Sequence, residues 1–257
     1  MPRSFTYSAL TLRLKNSGET NREAWFLTAE EGILRATVFG GPKSRLRAQV
    51  APYHGGTLWI YHDPVRDTRK VSDFDVISYR TGIRELWERV MASGAVAETI
   101  LSSQGGGGNW AEALKLAESV IDTLDSAEAG VCPRLFAYFL WHWAAILGQR
   151  PDLSACSSCG NELKRDEVLW FSAQKEALFC ENCMGRLESG TLNPLDTGSR
   201  LRLGAGARLW LQGIETLPAT AIARVSLDTP SLDQVKTFSK AVMAAALGRS
   251  LPTWEGV

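Results

Sequence analysis

The sequence predicts an α+β chain of more than one domain: a small β-barrel first, then a helical region with a metal-binding finger embedded in it. Three observations carry this. Residues 1–79 fall into five short runs that alternate apolar and polar with period 2. From Thr81 the apolar spacing changes to the helical 3.6. Two C-x2-C pairs, at Cys156/Cys159 and Cys180/Cys183, interrupt the helical half. The domains expected are a barrel over 1–79 and a helical domain over 80–257, with the finger at about 152–188.

In the first strand Phe5, Tyr7 and Ala9 alternate with Thr6 and Ser8, and Leu10, Leu12 and Leu14 continue with Thr11, Arg13 and Lys15 between. Asn16-Ser17-Gly18 is turn chemistry. A second strand covers 25–28, and Glu30-Glu31-Gly32 turns the chain into a third over 33–39. Gly40-Gly41-Pro42 breaks that strand. Residues 57–62 form a fourth, ended by Asp63-Pro64, and 70–79, with Val71, Val76 and Ile77, a fifth. Closing five short strands into a full or partial barrel removes their exposed edges.

Beyond Thr81, the residues Ile83, Leu86, Trp87, Val90 and Met91 follow a helical stripe. Glycines at 105–108 predict a flexible break, and Asn109 stands as N-cap of a helix carrying Ala113, Leu116, Ala117, Val120, Ile121 and Leu124. Pro133 suits the first turn of the next helix. That helix is apolar almost all round, from Phe136 to Ile146, and so belongs in the centre of a helical core, with Gly148 at its C-terminal cap. After the cysteine box, helices are expected around 197–215 and 231–248, with Ser231 and Gln234 at capping-box spacing.

The cysteine box reads C-x2-C-x20-C-x2-C. Each pair turns tightly enough to aim two sulfurs at one ion, and two pairs make a closed tetrahedral site that suits Zn2+. Gly160 follows the second cysteine, where such a turn calls for φ > 0. The stretch from Val168-Leu169-Trp170-Phe171 to Leu178-Phe179 pairs as a hairpin over the metal. Iron accepts the same cage. A redox pair would sit after a strand at a helix N-terminus, and disulfides would need an oxidising compartment; nothing else in the chain supports either. Four thiolates leave no open coordination position, so the ion is structural rather than catalytic. The fifth cysteine, Cys132, reads as a buried thiol.

The 257 residues carry 28 Lys and Arg against 28 Asp and Glu, a net charge of zero. Residues 1–79 hold 11 cations and 8 anions, and the remainder 17 and 20, so the barrel half is the one suited to a polyanion. No apolar run approaches the roughly 20 residues of a membrane span, and the first residues lack a signal-peptide core. The expectation is a cytoplasmic protein without membrane contact.

The stretch Gly40-Gly41-Pro42-Lys43-Ser44-Arg45-Leu46-Arg47 sets three cations after a glycine-rich break. Such a loop can grip phosphates, with Tyr53, Trp59 and Tyr61 near enough to stack on bases. A solvated basic turn on an ordinary barrel is the other reading. Arg3, Arg35, Arg66, Arg69 and Lys70 are further candidate phosphate contacts on charge alone. His54, His62 and His142 are isolated in sequence, and His142, on the apolar helix, reads as a core residue. Phosphate-loop, dinucleotide and metalloprotease motifs are absent, and Gly204-Ala205-Gly206 reads as close helix packing. No catalytic residues are assigned, and the chain reads as a non-enzyme.

The barrel with its Gly-Gly-Pro-Lys-Ser-Arg-Leu-Arg loop, the helices, and Leu147-Gly148-Gln149-Arg150-Pro151-Asp152-Leu153 leading into Cys156-Ser157-Ser158-Cys159-Gly160 together resemble the RecO family of bacterial recombination mediators. Arg3-Ser4-Phe5 and Thr28-Ala29-Glu30-Glu31-Gly32 add to the likeness, which spans essentially the whole chain. The resemblance implies an N-terminal OB-fold, a helical C-terminal domain and an embedded zinc finger. It implies binding of single- and double-stranded DNA, annealing of complementary strands, and help in loading RecA during DNA repair, with the nucleoid as the place of work. The partners implied are RecR and the acidic C-terminal tail of single-stranded-DNA-binding protein. Lys43, Arg45 and Arg47 carry over as phosphate contacts, and Cys156, Cys159, Cys180 and Cys183 as zinc ligands. The first hairpin departs from the family pattern by its extension over 16–22. The alternative from another class is a zinc-stabilised adaptor that binds only proteins; a third is a metal-independent enzyme assembled from distant residues.

Overall fold

Alternating strands turn one set of side chains inward, and five of them close on that set in the computed structural model, which describes residues 3–41, 43–189 and 200–257. They are β1 (Ser4–Ser17), β2 (Asn21–Thr28), β3 (Gly32–Val38), β4 (Gly55–Asp63) and β5 (Thr68–Ser78). The order round the barrel is β1-β2-β3-β5-β4. All neighbours are antiparallel except β3 and β5, which meet in parallel at Thr37 and Lys70. A five-stranded barrel with this crossover is an OB fold. Tyr7, Ala9, Phe26, Leu34, Leu58 and Phe74 fill it, and the Phe26 and Phe74 rings meet edge to face at 6.0 Å.

Two compact units emerge, over residues 1–129 and 130–256. In the first, α2 (Trp87–Ser102) and α3 (Trp110–Ser126) pack on the outside of β1, so the middle of that strand is buried on both faces. Ala9 points into the barrel while Leu10 and Leu12 are buried outside its core. A register shift between Thr11 and Arg13 brings Leu14 back to the barrel interior. The extended first hairpin stays paired as far as Ser17 and Asn21, so its extra length is ladder rather than loose loop.

Several local expectations change. Part of the basic loop is helical, as α1 (Arg45–Gln49), and Pro42 lies outside the described residues. Residues Thr81–Glu85 form a 3-10 helix, and extended Leu86 resets the helical phase before α2. Trp87 therefore faces solvent, 69% exposed, rather than joining the buried stripe of Ala92, Ala95, Val96 and Ile100. The glycines at 105–108 are a built turn, not a free break. Gly105 is buried with φ +80°, and a Cβ there would stand 3.2 Å from Ile33. Asn109 holds the N-cap position of α3, but its amide bonds Glu112 instead of the helix backbone.

The second unit is built round α4 (Cys132–Ile146), which carries Pro133 in its first turn and is buried from Leu135 to Trp141. It ends in a Schellman turn: Gly148, φ +68°, donates to Ala145, and Gln149 donates to Ala144. The finger follows, with β6 (Leu169–Ser172) and β7 (Ala177–Cys180) as an antiparallel hairpin and α5 (Glu181–Ser189) after it. Of the helix expected around 197–215, residues 197–199 lie outside the described residues. The alternating Arg200-Leu201-Arg202-Leu203 is instead a strand, β8 (Arg200–Leu203), paired with β6, and only α6 (Ala205–Ile214) is helical. α7 (Thr229–Leu247) starts two residues before the expected Ser231. Asp228 is its N-cap and accepts from the Ser231 amide at 2.9 Å, while Gln234 turns away to accept from the Gly204 amide at 2.7 Å. Gly204 and Gly206 let α6 approach Gln234 and Ser231, the close packing expected of them. Among the described residues, no helix is long and apolar enough to cross a membrane.

Candidate nucleic-acid interface and candidate metal centre

The finger brings its four cysteines together from two turns. In the first, Gly160 takes φ +70° and donates to the Cys156 carbonyl at 2.9 Å, closing the loop from Cys156 to Cys159. Ser157 donates to Leu178 of β7, which fixes that loop against the hairpin. Cys180 ends β7 and Cys183 lies in the first turn of α5. The four sulfurs lie within 4.8 Å of one another. A tetrahedral thiolate cage with metal–sulfur bonds of about 2.3 Å holds its sulfurs a little under 4 Å apart, so the donor set fits one ion.

Electrostatics argue the same way. Burial opposes the thiolate at Cys156, but the amides of Cys180, Cys159 and Ser158 outweigh it and bring the thiol down to about 6. The Cys180 amide donates to the Cys156 sulfur at 3.3 Å. Burial pushes Cys180 up to about 12, and the neighbouring Cys183 and Cys156 sulfurs add to this. A cation held between the sulfurs would offset the repulsion among thiolates this close together. The finger's own core is small, Phe179 and Met184 with Leu163, Trp170 and Ala177 around the cysteines, which is why a staple is useful there.

On the barrel, the candidate cations divide into two groups. One group is Arg35 on β3, Arg69 and Lys70 on β5, Arg66 in the β4–β5 loop and Arg3 just before β1. Two clefts share Thr37, Thr68 and Arg69; the first also takes in Arg35, and the second, about 660 Å3, takes in Arg66, Lys70, Tyr61 and Phe39. Lys70 Nζ stands 4.6 Å over the Tyr61 ring, and Arg3 Nη1 donates to the Tyr61 hydroxyl at 3.5 Å. Phe39 is 51% exposed beside them. The loop residues Lys43, Arg45 and Arg47 line neither cleft. Lys43 and Arg45 are exposed, and Arg47 Nη1 reaches the Thr20 carbonyl in the β1–β2 loop at 3.4 Å. In OB folds the β2–β3 face and the β1–β2 and β4–β5 loops are the elements that bind oligonucleotides. Arg35 lies on that face, Arg66 in the second loop and Arg47 against the first.

Strand register adds residues that sequence reading missed. Arg13, Trp25 and Arg35 are opposite one another on β1, β2 and β3. Both guanidiniums lie over the indole ring, Arg13 at 5.7 Å and Arg35 at 5.4 Å. Arg35 also pairs with Glu23, and Arg69 with Glu31 at 2.8 Å. The Tyr7 hydroxyl donates to Glu31 at 2.6 Å. Burial opposes ionisation of Glu31, yet Tyr7 and Arg69 together hold its carboxyl below the usual range. Tyr7 itself is pushed up to about 12 by burial and by Glu31.

The remaining candidates line neither cleft. Tyr53, half-buried with φ 68°, stands under α2 near Gly94, too enclosed to stack on a base, and burial raises it to about 12. Trp59 is half-buried on β4. His54 is buried on the Gln49 carbonyl at 2.7 Å, and His62 meets Asp67 at 3.0 Å. His142 is a satisfied core residue, 3.2 Å from the Ile214 carbonyl and against the Tyr138 ring. Arg150 covers the Trp141 ring at 5.7 Å and pairs with Glu215 at 3.5 Å. Cys132 is buried.

A family model described as "Recombination protein O C terminal" matches residues 84–255. A protein named "DNA repair protein RecO" from Synechococcus sp. (strain JA-3-3Ab) is 23% identical over 191 residues, 70% of this chain and 62% of its own length. One of the same name from Bacillus pumilus (strain SAFR-032) is 26% identical over 184 residues, 69% of this chain and 67% of its own. The chain thus spans a little under two thirds of the first relative's length.

Proposed function

The chain belongs to the RecO family, and from that membership we propose that it is a non-enzymatic recombination mediator in DNA repair. It binds single- and double-stranded DNA, anneals complementary strands, and assists RecA loading together with RecR at DNA coated by single-stranded-DNA-binding protein, whose C-terminal tail it contacts. It works in the cytoplasm on the nucleoid. The observation that carries this reading is the clustering of Arg66, Arg69 and Lys70 round Tyr61 and Phe39 on an OB barrel. Cations there neutralise phosphates, and aromatic faces offer stacking to unpaired bases.

Two strands that must pair repel one another along their whole length. A surface that neutralises phosphates lowers this repulsion while holding the strands near each other. We assign that task to the barrel over 1–79, with Arg35, Arg66, Arg69 and Lys70 in the clefts, Arg3 beside Tyr61, and Lys43, Arg45 and Arg47 as a flanking contact. Cys156, Cys159, Cys180 and Cys183 would hold Zn2+, which supplies a structural crosslink and no reaction step.

The test is a pair of multiple variants read by fluorescence anisotropy of a labelled single strand. Arg66→Ala/Lys70→Ala weakens binding and flattens the salt slope by about 0.7 for each phosphate no longer neutralised. Lys43→Ala/Arg45→Ala/Arg47→Ala does the same if the loop flanks the strand. An unchanged slope in either variant removes those residues from the interface. The alternative, a zinc-stabilised protein adaptor, draws on Trp87 and on Ile77, 75% exposed, in the first unit. It requires that no strand bind at low salt.

A further inference from the structure

The barrel carries its own anions among its best-placed cations. Arg35, at the β3 end of the β1–β2–β3 row, is paired with Glu23, its diagonal neighbour on β2. Arg69, shared by both clefts, is paired with Glu31. Neither carboxylate is forced there by burial of the arginine, since the Arg35 side chain is 62% exposed and that of Arg69 35%. Exposed pairs of this kind add little to stability. What they change is the charge that an incoming phosphate meets.

We propose that Glu23 and Glu31 are affinity-setting residues: each occupies a guanidinium that a nucleic-acid phosphate would otherwise take, so a strand binds the barrel only by displacing them. The inference rests on the nucleic-acid reading above. A phosphate that replaces a carboxylate on one arginine exchanges one ion pair for another and leaves the displaced anion beside the DNA. Such an arginine still holds the phosphate, but it adds less to affinity and to counterion release than a cation unpaired among the described residues, such as Arg66 or Lys70, would. Several exchanges in register along one strand still gain, because after the first contact the others are intramolecular. The barrel would therefore hold a continuous strand in preference to a short one, and would hold it loosely enough to release it.

The experiment uses the full-length protein and a labelled single strand of about 20 nucleotides, longer than one OB-fold site. Glu23→Gln keeps shape and removes one charge. It should tighten binding about fivefold at low salt, the scale of one unit charge beside one phosphate, and steepen the salt slope by about 0.7. In an Arg35→Ala background the same change should have no effect. Glu31→Gln, with Arg69→Ala as its background, is the second variant. Equal affinity and slope for wild type and Glu23→Gln overturn the proposal, as does a gain that persists without Arg35. If neither wild type nor Glu23→Gln binds the strand, the nucleic-acid reading fails as well. A gain in function cannot come from misfolding, so the expected result stands apart from loss of structure.

Discussion

Arg80 takes a charge into the interior of the first unit. Its side chain is 3% exposed, donates from Nε to Asp122 of α3 at 2.6 Å and from Nη1 to the Tyr53 carbonyl at 2.6 Å. Glu118 stands near the same guanidinium, and its carboxyl is raised by burial despite the pull of Arg80. Arg80→Met strands both carboxylates and a carbonyl. Because Asp122 and Glu118 still reach solvent, the loss should be about 2 kcal/mol, below that of a fully buried pair, and is read from the urea midpoint. The histidines make a pH prediction. Burial pushes His54 and His142 below the ordinary 6.5, with nearby Arg84 and Arg80, and Arg150, acting in the same sense. Unfolded chains take up protons near 6.5 that the folded state refuses. Their contribution is therefore complete above 6.5 and is lost as pH falls through 6.5 towards the lower folded values. The urea midpoint should drop between pH 7 and pH 5, and His54→Gln/His142→Gln should lessen that drop. No change with pH over this range would mean that both imidazoles protonate freely in place.

At the scale of elements, the expectation is that the finger, and not the barrel, needs an ion held by its four cysteines. The finger's hairpin has a face towards α7, where Phe171 meets Phe238 at 5.3 Å, but its other face rests on the small cluster round the cysteines. Cys156→Ser or Cys180→Ser should release one equivalent of metal and raise amide exchange over 152–188, leaving exchange in the barrel core unaltered. Absence of zinc in protein purified without chelator contradicts the zinc assignment. Much of this element was legible. The C-x2-C spacing, Gly160 and the hairpin pattern each rest on neighbours within a few residues. β8 was not legible, because the alternation of Arg200-Leu201-Arg202-Leu203 is too short to outweigh the helical pattern that follows. The start of α7 was misread for a related reason. Ser231 and Gln234 have capping-box spacing, but Asp228 with Pro230 makes a stronger start, and Gln234 is used by a glycine thirty residues away in sequence.

For the whole molecule, the five barrel strands and the central helix follow from periodicity, a property of single segments. The candidate interface depends on register between segments. Arg13, Trp25 and Arg35 are twelve and ten residues apart in the chain and adjacent in the sheet. Their row can be found only after the hairpin turn at Gly18 has set which residues oppose. Charge alone singles out Arg35, Arg66, Arg69 and Lys70 as candidates, but it does not show that Glu23 and Glu31 sit on two of them. The mediator account stands on the barrel's capacity to bind a strand through phosphates. Anisotropy of a labelled single-stranded oligonucleotide, titrated with the full-length protein at several salt concentrations, tests that most directly. The account predicts binding at micromolar concentration or tighter at low salt, falling steeply as salt rises. No binding at low salt would contradict it.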